Sequence, residues 1–199
     1  MNPITDFSQL DLSRQYSYAD YLEWEFAEWV ELLGGYCRLV SRPGQTPRHQ
    51  QVLSRLAGQI AAQWQDTAYE SWWVPFPLVL GYEAPADSYN LLLPDLYIIR
   101  KEKPNYLDQT GWHGVPLLVA EVSDSRTCEI DQHQKLKLYE YFGVGEYWLV
   151  DLAQGRIRQY SRIPEGPLEL ATELTGSGYF LSRVLAGVQV DWQGTLGET

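Results

Sequence analysis

Long apolar runs are missing from this chain. No window of ~18 apolar residues is available to cross a bilayer, so no membrane span is expected. The opening stretch MNPITDFSQLDLSRQ lacks a basic patch followed by an apolar segment, so it does not read as a secretory signal. Cysteine is scarce. Only Cys37 and Cys128 are present, far apart and without metal-ligand spacing, which excludes a disulfide scaffold and fits a reduced, cytoplasmic protein. His49, His113 and His133 show no zinc spacing, and of these only His49 is a candidate for the rim of a site. There is no G-x-S-x-G, no Walker loop and no complete G-x-G-x-x-G. Basic charge is also short. Fifteen Lys and Arg against 26 Asp and Glu give a formal net charge of −11. That balance argues against non-specific attraction to nucleic acid. It leaves room for local basic groups, and Arg100, Lys101, Lys103, Arg126, Lys135 and Lys137 fall near one another in sequence.

What is present is the composition of an ordinary globular domain. Hydrophobic residues make up 45% and charged residues 21% of the 199 positions. This length is enough for one α/β domain with a real core, expected over residues 1–199. Eight Trp and fourteen Tyr exceed what packing alone requires and suit an interface.

Local signals lay out the elements. Residues 17–33 read as a helix capped by Ser17 and ended by Gly34-Gly35. Residues 36–41 read as a short strand, and 47–64 as a helix with Val52, Leu53, Leu56, Ile60 and Trp64 on one face. Residues 71–80 read as one extended segment whose prolines confine it to an edge. Strands are expected from about Pro94 to Arg100 and from Val115 to Val122, with a polar connection between them. The segment IDQHQKLKLYEYF reads as a helix, which Gly143 ends in a left-handed conformation while Val144 packs back on its last turn. EYWLVD is a strand that turns through AQG into RIRQYSRI. Further strands are expected near LELATEL and GVQVDW. This order predicts an α/β fold with a mixed sheet flanked by helices, including a parallel crossover from Val115–Val122 to Glu146–Asp151.

Three residues stand out chemically. Glu121 ends the run Val-Pro-Leu-Leu-Val-Ala, where a carboxylate loses water and needs compensation. Asp95 opens Asp-Leu-Tyr-Ile-Ile-Arg. If the two strands pair antiparallel with Arg100 opposite Pro116, Asp95 falls opposite Glu121 and on the same face. Two such carboxylates repel unless a cation sits between them, and oxygen ligands with spare water positions suit Mg²⁺ or Mn²⁺. Lys135, Tyr139 and Phe142 share one helix face. An inward lysine there needs an anion, either the two carboxylates or a phosphate. Lys137 and Glu140 lie on another face and read as a solvated pair. The set suggests phosphodiester hydrolysis, with a metal to polarise phosphate and lower the pKa of water, and Lys135 to orient that water or neutralise charge.

These residues carry a resemblance. Pro94-Asp95, Glu121-Val122-Ser123-Asp124, Asp131, Lys135, Tyr139, Gly143-Val144, Glu146-Tyr147-Trp148 and Val150-Asp151 together resemble the Uma-type restriction endonucleases, a branch of the PD-(D/E)XK nuclease superfamily. Tyr21, Glu31 and Arg48-His49 are similar to it as well, over roughly residues 18–192. The resemblance implies a restriction-endonuclease-like α/β core and Mg²⁺-dependent DNA cleavage, with Asp95 and Glu121 as metal ligands and Lys135 as the catalytic lysine. The wider superfamily carries its lysine two residues after the acidic ligand. Here that position is Ser123, so Lys135 has to arrive from the helix.

Plainer roles compete. Asp95 after a proline is equally suited to capping a turn. Glu121 can pair with a buried arginine, and Lys135 can keep its charge in water. Asp131 can form an ordinary helix pair with Lys135 or orient it. Glu31 is assigned to a solvated helix end rather than to the metal, and Tyr139, Tyr147 and Trp148 to the core. A homodimer is expected, because cutting both strands of a duplex needs two sites. The competing function is a nuclease-fold binding or regulatory module without catalysis, and RNA is not excluded as the substrate.

Overall fold

The computed structural model describes residues 3–40, 46–73, 76–81, 85–102, 104–123, 131–164 and 166–197. In chain order it has α1 (Tyr18–Leu22), β1 (Val30–Leu33), β2 (Tyr36–Leu39), α2 (Pro47–Gln63), β3 (Tyr69–Trp73), β4 (Leu78–Leu80) and β5 (Leu91–Leu92). Then come β6 (Leu96–Arg100), β7 (Tyr106–Leu107), β8 (Trp112–Gly114), β9 (Leu118–Ser123), a π-helical turn (Asp131–Lys135) and α3 (Leu136–Phe142). The chain closes with β10 (Glu146–Asp151), β11 (Arg156–Arg162), β12 (Leu168–Thr175), β13 (Tyr179–Leu181), β14 (Gln189–Asp191) and α4 (Trp192–Leu196).

The larger core is built on a six-stranded sheet of order β12-β11-β10-β9-β6-β3. Its β9–β10 pair is parallel and its other pairs are antiparallel, so the sheet is mixed as the element order predicts. Side chains alternate between its faces. Leu96, Ile98, Leu118, Ala120 and Val122 meet Val52, Leu53, Leu56 and Ile60 of α2. Tyr97, Ile99, Val119, Tyr147 and Leu149 meet Tyr139 of α3. Each fully buried aliphatic side chain contributes about 1.5–3 kcal/mol, so the two helices are held by their apolar faces. Among the described residues no helix is long and apolar enough to cross a membrane.

Three expectations are corrected. The helix foreseen over 17–33 is one turn and a little more. Ser17 caps it through a reciprocal bond with Asp20, but it ends at Leu22, and residues 30–33 form β1. Gly34 and Gly35, at φ +58° and +85°, are the two-residue turn between β1 and β2. Left-handed backbone at both positions is what a tight hairpin turn requires, so the glycine pair joins strands and does not stop a helix. The segment read as one strand over 71–80 is two strands in different sheets, β3 and β4, with residues 74–75 between them outside the described residues. The polar connection after Arg100 contains β7 and β8, which join a second sheet of order β2-β1-β5-β4-β8-β7.

The remaining helix behaves as its pattern predicts. Gly143 takes φ +89°, and the buried Val144 donates its N–H to the Tyr139 carbonyl at 3.0 Å. Lys137 is exposed, but Glu140 is not its partner. The Glu140 carboxylate accepts the Leu168 N–H at 2.9 Å and so ties α3 to β12.

Candidate active site

The site begins with strand register. β6 and β9 pair Ile98 with Leu118, Tyr97 with Val119 and Leu96 with Ala120, and one step further brings Asp95 beside Glu121. This is the register that sets Arg100 against Pro116. Both acids are buried. The Asp95 Oδ2 accepts the Val122 N–H at 2.7 Å, so this carboxylate also ties the start of β6 to the end of β9. Its Oδ1 lies 3.0 Å from Nε2 of His49, in the first turn of α2. Thr46 caps that turn by accepting the His49 N–H at 3.1 Å, which fixes where the imidazole starts.

Lys135 ends the π-helical turn and is 3% exposed. A π turn inserts a residue into the helical repeat and re-aims side chains, and such turns recur at functional sites. Its ammonium lies 2.8 Å from Glu121 Oε1 and 2.9 Å from Glu31 Oε1. The Tyr139 hydroxyl donates to the same Glu121 oxygen at 2.9 Å. The position two residues past Glu121 is the buried Ser123, and the ammonium arrives from the helix, as the sequence requires.

Glu31 is the residue that sequence reasoning placed wrongly. It is fully buried in β1 and takes part in the site. Its Oε2 accepts from Arg38 at 2.6 Å, and its Oε1 accepts the Leu93 N–H at 3.0 Å. Arg38 is its cross-strand partner in the hairpin. The signal was readable: Val-Glu-Leu-Leu-Gly-Gly-Tyr-Cys-Arg-Leu places opposite charges at equal distances from a Gly-Gly turn. Tyr139 belongs to both the core and the site.

Electrostatics follow from burial. Desolvation alone would raise the pKa of Glu31, but the Lys135 ammonium and the Arg38 guanidinium outweigh it and hold the carboxyl below its ordinary value. Burial, and then the Glu121 charge, push the Tyr139 phenol far above its ordinary value, so it is a neutral donor. Among the described residues the carboxylates of Glu31, Asp95 and Glu121 meet the Lys135 ammonium and the Arg38 guanidinium, with the His49 imidazole beside Asp95.

The donor set fits a hard divalent ion in chemistry. Among the described residues no three His, Cys, Asp or Glu side chains form a metal-binding group. Asp95 and Glu121 offer carboxylate oxygens only, which would leave most of the coordination sphere to water and phosphate. That is the sphere Mg²⁺ keeps in phosphoryl-transfer sites.

The local basic groups are distributed differently from their sequence spacing. Arg100 sits at the far end of β6 from Asp95, about 16 Å away at ~3.3 Å per residue, and bonds the Tyr69 hydroxyl at 2.8 Å. Lys101 pairs with Glu70 at 3.2 Å. Lys103, Arg126, Asp124 and the Asp131 side chain lie outside the described residues.

The chain is an α/β protein with a mixed sheet flanked by helices and with acids at the adjoining ends of two neighbouring strands. A crystal structure described as "a putative nuclease" from Anabaena variabilis ATCC 29413 has the same fold, with a TM-score of 0.67 and 10% identity over 91% of this chain and 97% of that one. The family profile described as "Putative restriction endonuclease", Uma2, matches residues 18–193, and the chain belongs to that family. No curated protein matches it.

Proposed function

We propose that this protein is a divalent-metal-dependent endonuclease that hydrolyses phosphodiester bonds in DNA. The observation that carries the reading is the Lys135 ammonium, buried between Glu121 and Glu31 on the sheet face where Asp95 adjoins Glu121. Membership of the family described as "Putative restriction endonuclease" supports it. So does the shared fold with the Anabaena variabilis protein described as "a putative nuclease".

In this reading Asp95 and Glu121 would hold Mg²⁺ or Mn²⁺, which would supply Lewis-acid polarisation of the scissile phosphate and a more acidic water. His49 holds one Asp95 oxygen and the Val122 amide holds the other, so the Asp95 carboxylate is oriented before substrate arrives. Tyr139 and Lys135 fix Glu121 in the same way. Lys135 brings its ammonium into a water-poor pocket, where it would oppose the charge that builds on the phosphate oxygens. Glu31 and Arg38 position that ammonium and touch no reacting atom. The chain works as a single domain, in the cytoplasm, and as a homodimer with one site per strand of a duplex.

Incubation of the purified protein with supercoiled and linear DNA, and with RNA in parallel, tests this directly. Cleavage in Mg²⁺ or Mn²⁺, abolished by chelator and reduced by at least about a hundredfold in Asp95→Ala and Lys135→Ala, is the expected result. Absence of cleavage, together with no rise in melting temperature on adding the metal, would make the protein a nuclease-fold binding module. The net charge of −11 is the observation that favours that second reading.

A further inference from the structure

Among the described residues the large sheet ends in two open edges, β12 and β3. β12 carries Glu169, an acidic side chain of the kind that keeps an edge from pairing with a copy of itself, and Glu173, which is paired with Arg158 at 2.6 Å. β3 lacks such protection. Tyr69-Glu70-Ser71-Trp72-Trp73 has no Lys and no Pro, and its ladder with β6 runs unbroken from Tyr69 opposite Arg100 to Trp73 opposite Leu96. Its one charge, Glu70, is already paired with Lys101.

The ladder fixes which backbone groups face outward. The Lys101 N–H bonds to the Ala68 carbonyl at 3.0 Å. By alternation Glu70 and Trp72 also bond β6, while Tyr69, Ser71 and Trp73 turn their backbone groups away from it. The Tyr69 N–H is used by the Asp66 carbonyl at 3.2 Å. The Ser71 and Trp73 amides and the Tyr69, Ser71 and Trp73 carbonyls therefore point off the edge. The same three side chains line a groove of about 260 Å³ between β3 and α2, whose opposite wall includes Ile60 and Trp64. That is below the ~300–1,000 Å³ of small-molecule pockets and suits one aromatic side chain. Trp73 beside it is 52% exposed.

We propose that β3 pairs antiparallel with β3 of a second copy, about a two-fold axis at Ser71, and that each Trp73 enters the groove of its partner. In this register Ser71 bonds the partner's Ser71 through both backbone groups. Trp73 donates its N–H to the carbonyl of the partner's Tyr69, and the reverse bond completes a set of four. Tyr69, Ser71 and Trp73 share a face, so Trp73 is carried over the partner's groove by the pairing itself. Glu70 comes diagonal to the partner's Glu70, ~7–8 Å apart, with Lys101 compensating each. One strand thus supplies both halves of a closed, isologous contact. Nucleic acid fits the groove less well, because the acidic Asp66 lines it. The pairing uses none of the proposed site residues and stands whether or not the protein cuts DNA.

Sedimentation equilibrium from micromolar to tenths of millimolar protein tests the proposal. The wild type is expected to approach the mass of two 22.9-kDa chains. Ser71→Pro removes an outward amide without touching the β6 ladder, and Trp73→Lys places charge on the edge. Both are expected to sediment as one chain while keeping native far-UV circular dichroism and a cooperative thermal transition. Should either variant fail to fold, hydrogen exchange on the wild type carries the test, with the Ser71 and Trp73 amides exchanging faster on dilution. A wild type that stays a single chain, a dimer that persists in both folded variants, or exchange that ignores concentration would each overturn the proposal. So would a monomeric wild type whose tryptophan fluorescence is quenched by a single-stranded oligonucleotide, with Trp73→Lys abolishing the effect.

Discussion

Glu31→Gln is the sharpest probe of the buried network. The substitution keeps the side-chain shape and one acceptor oxygen but removes the charge between Arg38 at 2.6 Å and Lys135 at 2.9 Å. Lys135 then loses Glu31 while keeping Glu121 at 2.8 Å, and Arg38 faces an amide. Removing one partner of a buried pair costs about 3–5 kcal/mol. The Arg38 side chain is 20% exposed, so water recovers part of this, and we expect a loss of about 3 kcal/mol. With a urea slope of ~1–3 kcal/mol/M the unfolding midpoint falls by about 1–3 M. The difference depends on pH with a definite sign. Burial opposes ionisation of Glu31, but Lys135 and Arg38 hold its folded pKa below the ordinary 4.5. Its contribution is therefore complete above pH 4.5 and is lost as pH falls through the lower folded value. The wild-type and variant stability curves should converge in acid. Adding Lys135→Met to Glu31→Gln should cost at least ~1 kcal/mol less than the two single losses summed, because either change alone already breaks the Glu31–Lys135 pair. A loss below ~0.5 kcal/mol, or a difference that stays constant from neutral pH into acid, would refute the network as described.

Two further outcomes follow from the same geometry. His49→Ala removes the imidazole beside Asp95 Oδ1 and is expected to raise the Mg²⁺ concentration for half-maximal cleavage by about 10–100-fold, and an unchanged Mg²⁺ titration would count against this role. Gly35→Ala places a Cβ at φ +85°, 2.9 Å from Gln15 Cβ and 2.8 Å from a Tyr89 ring carbon. It should cost at least ~1–2 kcal/mol in a denaturant titration and disturb the hairpin that carries Glu31 and Arg38, whereas a neutral result would contradict the tight turn.

The sequence made some of this legible for identifiable reasons. β6 and β9 are apolar runs bounded by Pro94 and Pro116, so one antiparallel alignment buries both, and that alignment brings Asp95 to Glu121. Lys135 was found by helical spacing, because Tyr139 shares its face and is fully buried. Glu31 was lost because a helix cap at Ser17 and a glycine pair at Gly34-Gly35 satisfy a helix reading as well as a hairpin. Only the cross-strand contacts of β1 with β2 and β5 decide between them. The basic residues misled for a related reason. Arg100 is five positions from Asp95, but an extended strand turns that spacing into distance, and its guanidinium ends on Tyr69. The strands inside the polar connection after Arg100 were missed because β7 and β8 are only two and three residues long, too short for a periodic signal.

The most direct measurement is anomalous diffraction from crystals equilibrated with Mn²⁺. We predict a peak about 2.0–2.2 Å from one carboxylate oxygen each of Asp95 and Glu121, with water completing the sphere and Lys135 remaining nearby. Saturating Mn²⁺ that leaves both carboxylates without a peak, or that binds the protein only elsewhere, would contradict the account.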